Sequence, residues 1–126
     1  MASLSHRRIL VVEDERATAL KLEEMLKTLG CRVPGRAGKA SDAIAIIETD
    51  QQGFDAATLD VDLSENGLDE VAAALDSRRV PFLMTSSHHS QVIPRRFRDR
   101  PILYMPFLLH DLKQALEALQ MKSPRR

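Results

Sequence analysis

The stretch Ile9-Leu10-Val11-Val12-Glu13-Asp14-Glu15 decides the fold class of this chain. Four consecutive apolar residues, most of them β-branched, are typical of a short strand that is buried on both faces of a sheet. Acidic residues follow at once, so we expect the strand to emerge at a polar edge. From Arg16 onward the apolar residues recur at helical spacing until Gly30, which predicts a helix directly after the strand.

The rest of the chain repeats this alternation of strand and helix. Helices are predicted after Ser41, around 68–75 and after Pro106. Strands are predicted at 31–37, 56–60, 80–85 and 102–105. Strands that alternate with helices imply a parallel sheet with right-handed crossovers, so the chain is predicted to be an α/β domain. In the first helix, the residues predicted to face the core are Ala17, Leu20, Met25, Leu26 and Leu29.

Composition narrows the class of protein. With 126 residues, 44% of them hydrophobic and a formal net charge of zero, the chain is predicted to be one globular domain with its core at about 7–121. The single cysteine, Cys31, excludes an internal disulfide and favours a reducing cytoplasm. No apolar run approaches the roughly 18 residues of a membrane helix, so no membrane is expected. No Gly-x-Gly-x-x-Gly follows the first strand, which argues against a dinucleotide binder.

Carboxylates end two of the predicted strands. Glu13 and Asp14 follow the first strand, Asp60 ends the third, and Thr85 ends the fourth. In parallel α/β sheets the carboxyl ends of strands form the ligand site, so these groups are expected to share one edge. Clustered carboxylates need a proton or a cation, and Mg²⁺ suits a few oxygen ligands that are open to water. The simpler alternative is that residues 13–15 only cap the next helix.

The ordered set of these motifs resembles the response-regulator receiver family, from Arg8 to about Leu119. The motifs that carry the resemblance are 9–15, 59–63, 81–86 and 105–107. It implies a flavodoxin-like, doubly wound, five-stranded parallel sheet in the order 2-1-3-4-5. The segments 80–85 and 93–101 are also similar to alphaproteobacterial single-domain receivers that carry a Phe-Ala-Thr-Gly-Tyr motif and a degenerate fourth helix. Residues 86–100 accordingly carry only a weak helical signal, and a short or missing fourth helix is expected.

The resemblance assigns a role to each site residue. Glu13 and Asp14 are implied to bind Mg²⁺ together with Asp60, which is implied to be the phosphoacceptor. Asp62 would add a metal ligand through its backbone carbonyl, and Thr85 would be the switch hydroxyl that moves toward the phosphoryl group.

Met105 departs from the family pattern, which has lysine before the proline that is here Pro106. A thioether carries no charge and is only a weak acceptor. Losing a charge-assisted hydrogen bond costs roughly 1.5–3 kcal/mol, which is enough to erase a switch between two states of similar free energy. Tyr104 is a candidate partial substitute for the aromatic switch residue, whose position is occupied by Ile102.

The function implied is that of a stand-alone receiver in a two-component system. A histidine kinase or phosphotransfer protein would phosphorylate Asp60, and the chain would then act on a downstream protein, as a monomer or weak homodimer and not as an enzyme. One alternative is a phosphate-independent binding module. Another is a phosphatase of the haloacid dehalogenase type, in which Asp60 attacks phosphate and Asp62 is the acid/base, because Asp60-Val61-Asp62 matches its Asp-x-Asp motif.

The segment after the fourth strand is basic and contains two histidines. Its arginines are Arg95, Arg96, Arg98 and Arg100. They could contact an acidic partner or nucleic acid, but the chain has no overall basic bias, so no nucleic acid is expected. His88 and His89 are expected to be exposed loop residues.

Overall fold

The computed structural model describes residues 4–63, 67–87 and 93–122, and five strands alternate with helices along them. The strands are β1 Arg8–Val12, β2 Arg32–Ala37, β3 Ala56–Asp60, β4 Phe82–Ser86 and β5 Ile102–Tyr104. The α-helices are α1 Arg16–Thr28, α2 Ala40–Thr49, α3 Gly67–Ser77 and α4 Leu109–Ala118, and a 3₁₀ helix spans Arg95–Phe97. The predicted α/β alternation is confirmed. Within the described residues, no helix has the length and apolar character needed to cross a membrane.

All five strands are parallel and lie in the order β2-β1-β3-β4-β5, which confirms the predicted topology. The register places Val12 of β1 beside Leu59 of β3, and Asp60 of β3 beside Thr85 of β4. The residues that follow β1 therefore lie next to the end of β3. This pairing is what brings Glu13 and Asp60 to the same place.

The sheet is buried on both faces because helices pack on both sides of it, and alternate side chains of each strand point to opposite sides. Leu10, Val12 and Leu59 pack with residues of α2 and α3 on one face. Ile9 and Val11 pack with residues of α1 and α4 on the other face. This double burial explains why β1 is a continuous apolar run.

Helix α1 agrees with the prediction at Met25, Leu26 and Leu29, which are buried or pack against the core, and differs from it at Ala17 and Leu20. Its buried residues are Ala19, Leu22 and Leu26, whereas Ala17 is exposed and Leu20 is 45% exposed. Apolar residues occur on more than one side of this helix, so helical spacing allowed two alternative stripes. Contact with the sheet selects the stripe that contains Leu22, and Leu20 is left on the surface.

The segment between β4 and β5 contains a 3₁₀ helix and no α-helix within its described part, 93–101, which agrees with the prediction. Arg96 pairs with Asp69 of α3, and Arg100 pairs with Asp76 at 3.1 Å. Phe97 is buried with its ring 6.5 Å from that of Phe82. Two of the arginines considered for external partners are thus engaged within the chain. His88 and His89 lie outside the described residues.

Candidate metal centre

Three carboxylates meet at the carboxyl edge of the sheet. Ligand oxygens of Glu13, Asp14 and Asp60 all lie within 4.8 Å of one another. Glu13 and Asp14 directly follow β1, and Asp60 is the last residue of the neighbouring β3. The clustering predicted from the sequence is therefore confirmed, and the reason is the adjacency of β1 and β3.

The three carboxylates differ in their exposure. Glu13 is 7% exposed and Asp60 is 5% exposed, whereas Asp14 is exposed to solvent. A Glu13 oxygen accepts a hydrogen bond from the backbone N–H of Glu15 at 3.2 Å, and Asp60 Oδ1 accepts one from the backbone N–H of Asp62 at 2.9 Å. Two buried carboxylates thus lie side by side, with Asp14 on the solvent side.

Burial makes this pair costly to ionise. Desolvation, a hydrogen bond with Asp60 and repulsion from its charge raise the pKa of Glu13 to about 8. Desolvation also raises the pKa of Asp60 above its usual value, although hydrogen bonds from Glu13 and from the Asp62 backbone oppose the shift. Near neutral pH the pair therefore retains a proton when no cation is present.

The arrangement fits a divalent cation with hard oxygen ligands. Three carboxylate oxygens lie close enough to share one ion, and the exposed side at Asp14 leaves room for water ligands. Mg²⁺ prefers this combination of one to a few carboxylates with several retained waters. It would also replace the proton that the Glu13–Asp60 pair holds. The proposed ligation by the Asp62 backbone carbonyl stays a prediction.

Thr85 and Asp62 lie on the other side of Asp60 from β1. Thr85 is buried and is the register partner of Asp60 across β3 and β4. The Asp62 carboxylate accepts hydrogen bonds from the Ser87 backbone N–H at 3.2 Å and from the Ser87 hydroxyl at 3.0 Å. Asp62 is not part of the three-carboxylate cluster, but its charge contributes to the raised pKa of Asp60.

Met105 lies just after β5 and is half-buried. It lines a cavity of about 360 Å³ together with Thr18 and Lys21 of α1, Ser87, and the apolar residues Leu22, Met25, Pro106 and Phe107. Sequence reasoning did not single out Lys21 or Ser87. No periodicity or motif links position 21 to position 105, because only the packing of α1 against the β5–α4 connection brings them together.

No protein-family model matches this chain. The chain is 37% identical to SdrG from Sphingomonas melonis Fr1, with a TM-score of 0.76, over 94% of this chain and 98% of that chain. It is 36% identical, with a TM-score of 0.77, to the BeF3-activated conformation of SdrG from Pseudomonas melonis Fr1, over 93% of this chain and 96% of that one.

Two further relatives are more distant. The receiver domain of sensor histidine kinase PA1611 from Pseudomonas aeruginosa PAO1, which has a magnesium ion in its active-site cleft, is 25% identical. Its TM-score is 0.71, over 90% of this chain and 96% of that one. Transcriptional regulatory protein PdtaR from Mycobacterium tuberculosis is 29% identical over 115 residues, which make up 88% of this chain and 55% of that protein. The chain therefore spans about half the length of the curated relatives that it matches.

Proposed function

Because this chain belongs to the response-regulator receiver family, we propose that it is a signalling module that accepts a phosphoryl group on Asp60 in the presence of Mg²⁺. The observation that carries the proposal is the buried Glu13–Asp60 pair, with Asp14 beside it at the solvent side. The proposed donor is a histidine kinase or a phosphotransfer protein, and the proposed target is a downstream protein. The proposed location is the cytoplasm, since Cys31, the only cysteine, is a free thiol.

The proposed reaction is a single phosphoryl transfer. An Asp60 carboxylate oxygen attacks phosphorus, the bond from phosphorus to the leaving group breaks, and the leaving group departs with the electron pair. Glu13, Asp14 and Asp60 would hold Mg²⁺, whose charge offsets the repulsion between the acidic pocket and the phosphate. The Thr85 hydroxyl is proposed to donate a hydrogen bond to a phosphoryl oxygen.

The chain is proposed to be a phosphoacceptor and not an enzyme that turns over external phosphate esters. The phosphatase alternative requires Asp62 as a free acid/base. The hydrogen bonds from Ser87 to the Asp62 carboxylate, at 3.0 and 3.2 Å, argue against that role. Membership of the response-regulator receiver family also argues against the phosphatase alternative.

Incubation with acetyl phosphate and MgCl₂, followed by intact-mass measurement, tests the proposal. Wild type should gain one phosphoryl group, with acetate as the leaving group, and should not gain it in EDTA. Asp60→Asn should gain none, whereas Asp62→Asn should retain the reaction. Turnover of a generic phosphate ester that is lost in Asp62→Asn would instead support the phosphatase.

One observation favours a second function, that of a phosphate-independent binding module. Met105 provides no positive charge at the end of β5. Phosphorylation could then occur without changing the surface that a partner contacts. Amide NMR spectra of the phosphorylated and unphosphorylated chain distinguish the two functions. Shifts that extend along β4 and β5 support the switching receiver, and shifts limited to the neighbours of Asp60 support the binding module.

A further inference from the structure

We propose that Lys21 supplies, from helix α1, the positive charge that the chain lacks at position 105. The proposal rests on the proposed function, because the charge would act on the phosphoryl group of Asp60. Lys21 would thus be a phosphoryl-contacting residue contributed by a different element of the fold.

The charge of the site creates the need for such a residue. A phosphoryl group carries about 1.5 to 2 negative charges near neutral pH. On Asp60 it would lie beside the carboxylates of Glu13 and Asp14. One divalent cation leaves an excess of negative charge, which a second cation would stabilise strongly because the site is largely buried.

The cavity beside Met105 is the proposed route from Lys21 to that phosphoryl group. Lys21 and Met105 line the same cavity of about 360 Å³, and Ser87 lines it as well. The Ser87 hydroxyl also donates a hydrogen bond to the Asp62 carboxylate, and the Asp62 backbone N–H donates one to the Asp60 carboxylate. A chain of direct contacts therefore connects the cavity wall to the phosphoacceptor.

The direction of the Lys21 side chain supports the same assignment. Side chains on an α-helix lean toward the helix N-terminus, so Lys21 leans toward the turn that contains Thr18. Thr18 lines the same cavity, and α1 begins at Arg16, directly after the acidic residues. This lean is directed toward the carboxyl edge of the sheet. Lys21 also lines a second cavity, of about 580 Å³, together with Glu24 and Thr28.

The Lys21 side chain is also available to contact a phosphoryl group. It is exposed and, within the three described stretches of the chain, forms no ion pair. Lys27 on the same helix is instead paired with Glu23 at 3.2 Å.

Another cation near the site that has no ion pair in the described part of the chain is Arg16. It lines a separate cavity of about 240 Å³ with Glu13, Asp14 and Arg36, next to β2. That is the metal side of the site. Thr85 and Met105 lie on the opposite side, in the direction of β4 and β5.

The test compares rates of adduct formation with acetyl phosphate and MgCl₂ by intact mass. Lys21→Met should slow the reaction about tenfold, the effect of losing one charge-assisted contact of about 1.4 kcal/mol. Lys21→Arg, which keeps the charge, should restore most of the rate. Lys113→Met, an exposed lysine of α4, is the matched control and should react at the wild-type rate.

A double-mutant cycle separates this role from a structural one. In the Met105→Lys background the family lysine is present, so adding Lys21→Met should change the rate less than about twofold. Wild-type rates in Lys21→Met, at unchanged thermal stability, would overturn the proposal for Lys21 while leaving the proposed function intact. Equal tenfold losses in both backgrounds would also overturn it. If wild type itself forms no adduct, both proposals fail.

Discussion

Replacing Glu13 by glutamine should stabilise the metal-free protein at alkaline pH. Glu13 and Asp60 are both buried, and their oxygens lie within 4.8 Å of each other, so ionising both costs free energy. Glutamine removes one charge. Its amide can still accept the hydrogen bond from the Glu15 N–H and donate one to Asp60, so the geometry of the pocket is retained.

Two estimates bound the magnitude of the gain in stability. Two unit charges 4.8 Å apart repel by about 3 kcal/mol at an effective dielectric constant of about 20. Raising the pKa of Glu13 from 4.5 to about 8 corresponds to at most about 5 kcal/mol. The second value is an upper bound, since the solvent-exposed side at Asp14 screens the pair. We therefore expect a gain of about 2–3 kcal/mol in the free energy of unfolding at pH 8.5.

The sign of the pH dependence is fixed by the direction of the shift. The pKa of Glu13 is higher in the folded state than in the unfolded state, so the folded protein binds more protons between pH 4.5 and about 8. Wild-type stability should fall as pH rises through this window. Glu13→Gln lacks this group, so the two proteins should converge near pH 5 and separate near pH 8.5.

Urea unfolding in EDTA at pH 5 and pH 8.5 measures the difference in free energy of unfolding between the two proteins. The gain expected at pH 8.5 corresponds to roughly 6–12 °C in Tm for a domain of this size. Glu24→Gln, at an exposed glutamate of helix α1, is the control and should change little. Millimolar MgCl₂ should stabilise wild type at pH 8.5 and should stabilise Glu13→Gln much less. A Glu13→Gln protein that is less stable than wild type in EDTA at pH 8.5 would refute the electrostatic account.

Three other substitutions test packing and backbone features. Thr58 is buried in β3, and its hydroxyl has no hydrogen-bond partner among the described residues, so Thr58→Val should raise the free energy of unfolding by about 1 kcal/mol in urea titration. Arg79 adopts a left-handed conformation, φ 56°, just after α3, so Arg79→Gly should raise Tm and stabilise by about 0.5–1 kcal/mol; a loss would show that its side chain matters more than its backbone. A Cβ at Gly67 would lie 2.2 Å from the Cβ of Ala40, so Gly67→Ala should destabilise by about 1–3 kcal/mol in the same titration, and Ala40→Gly in the double variant should recover part of that loss.

Much of the fold could be predicted because its signals are local. The apolar run before Glu13 and the one before Asp60 each mark a buried strand by themselves, and the intervening helical periodicity requires a parallel crossover. Once β1 and β3 are neighbours, the acidic residues at their ends must meet. The short segment before β5 was also predictable, since it contains no strong helical pattern.

Other features depend on packing and have no local signal. The sequence alone does not show that Glu13 is buried while Asp14 is exposed, because both follow the same strand. It also did not reveal that Leu20 is on the surface, since α1 has apolar residues on more than one side.

By itself, the sequence determined the α/β class, the parallel sheet and the identity of the clustered carboxylates. The reason is that the periodicity of a strand or helix, and the residues at a strand end, can be recognised within a short stretch of sequence. Only the tertiary structure decided that Glu13 and Asp60 form the buried pair, that Ser87 holds Asp62, and that Lys21 shares a cavity with Met105. These relations join residues that are distant in the chain, and they depend on how helices pack on the sheet and how burial changes the cost of charge.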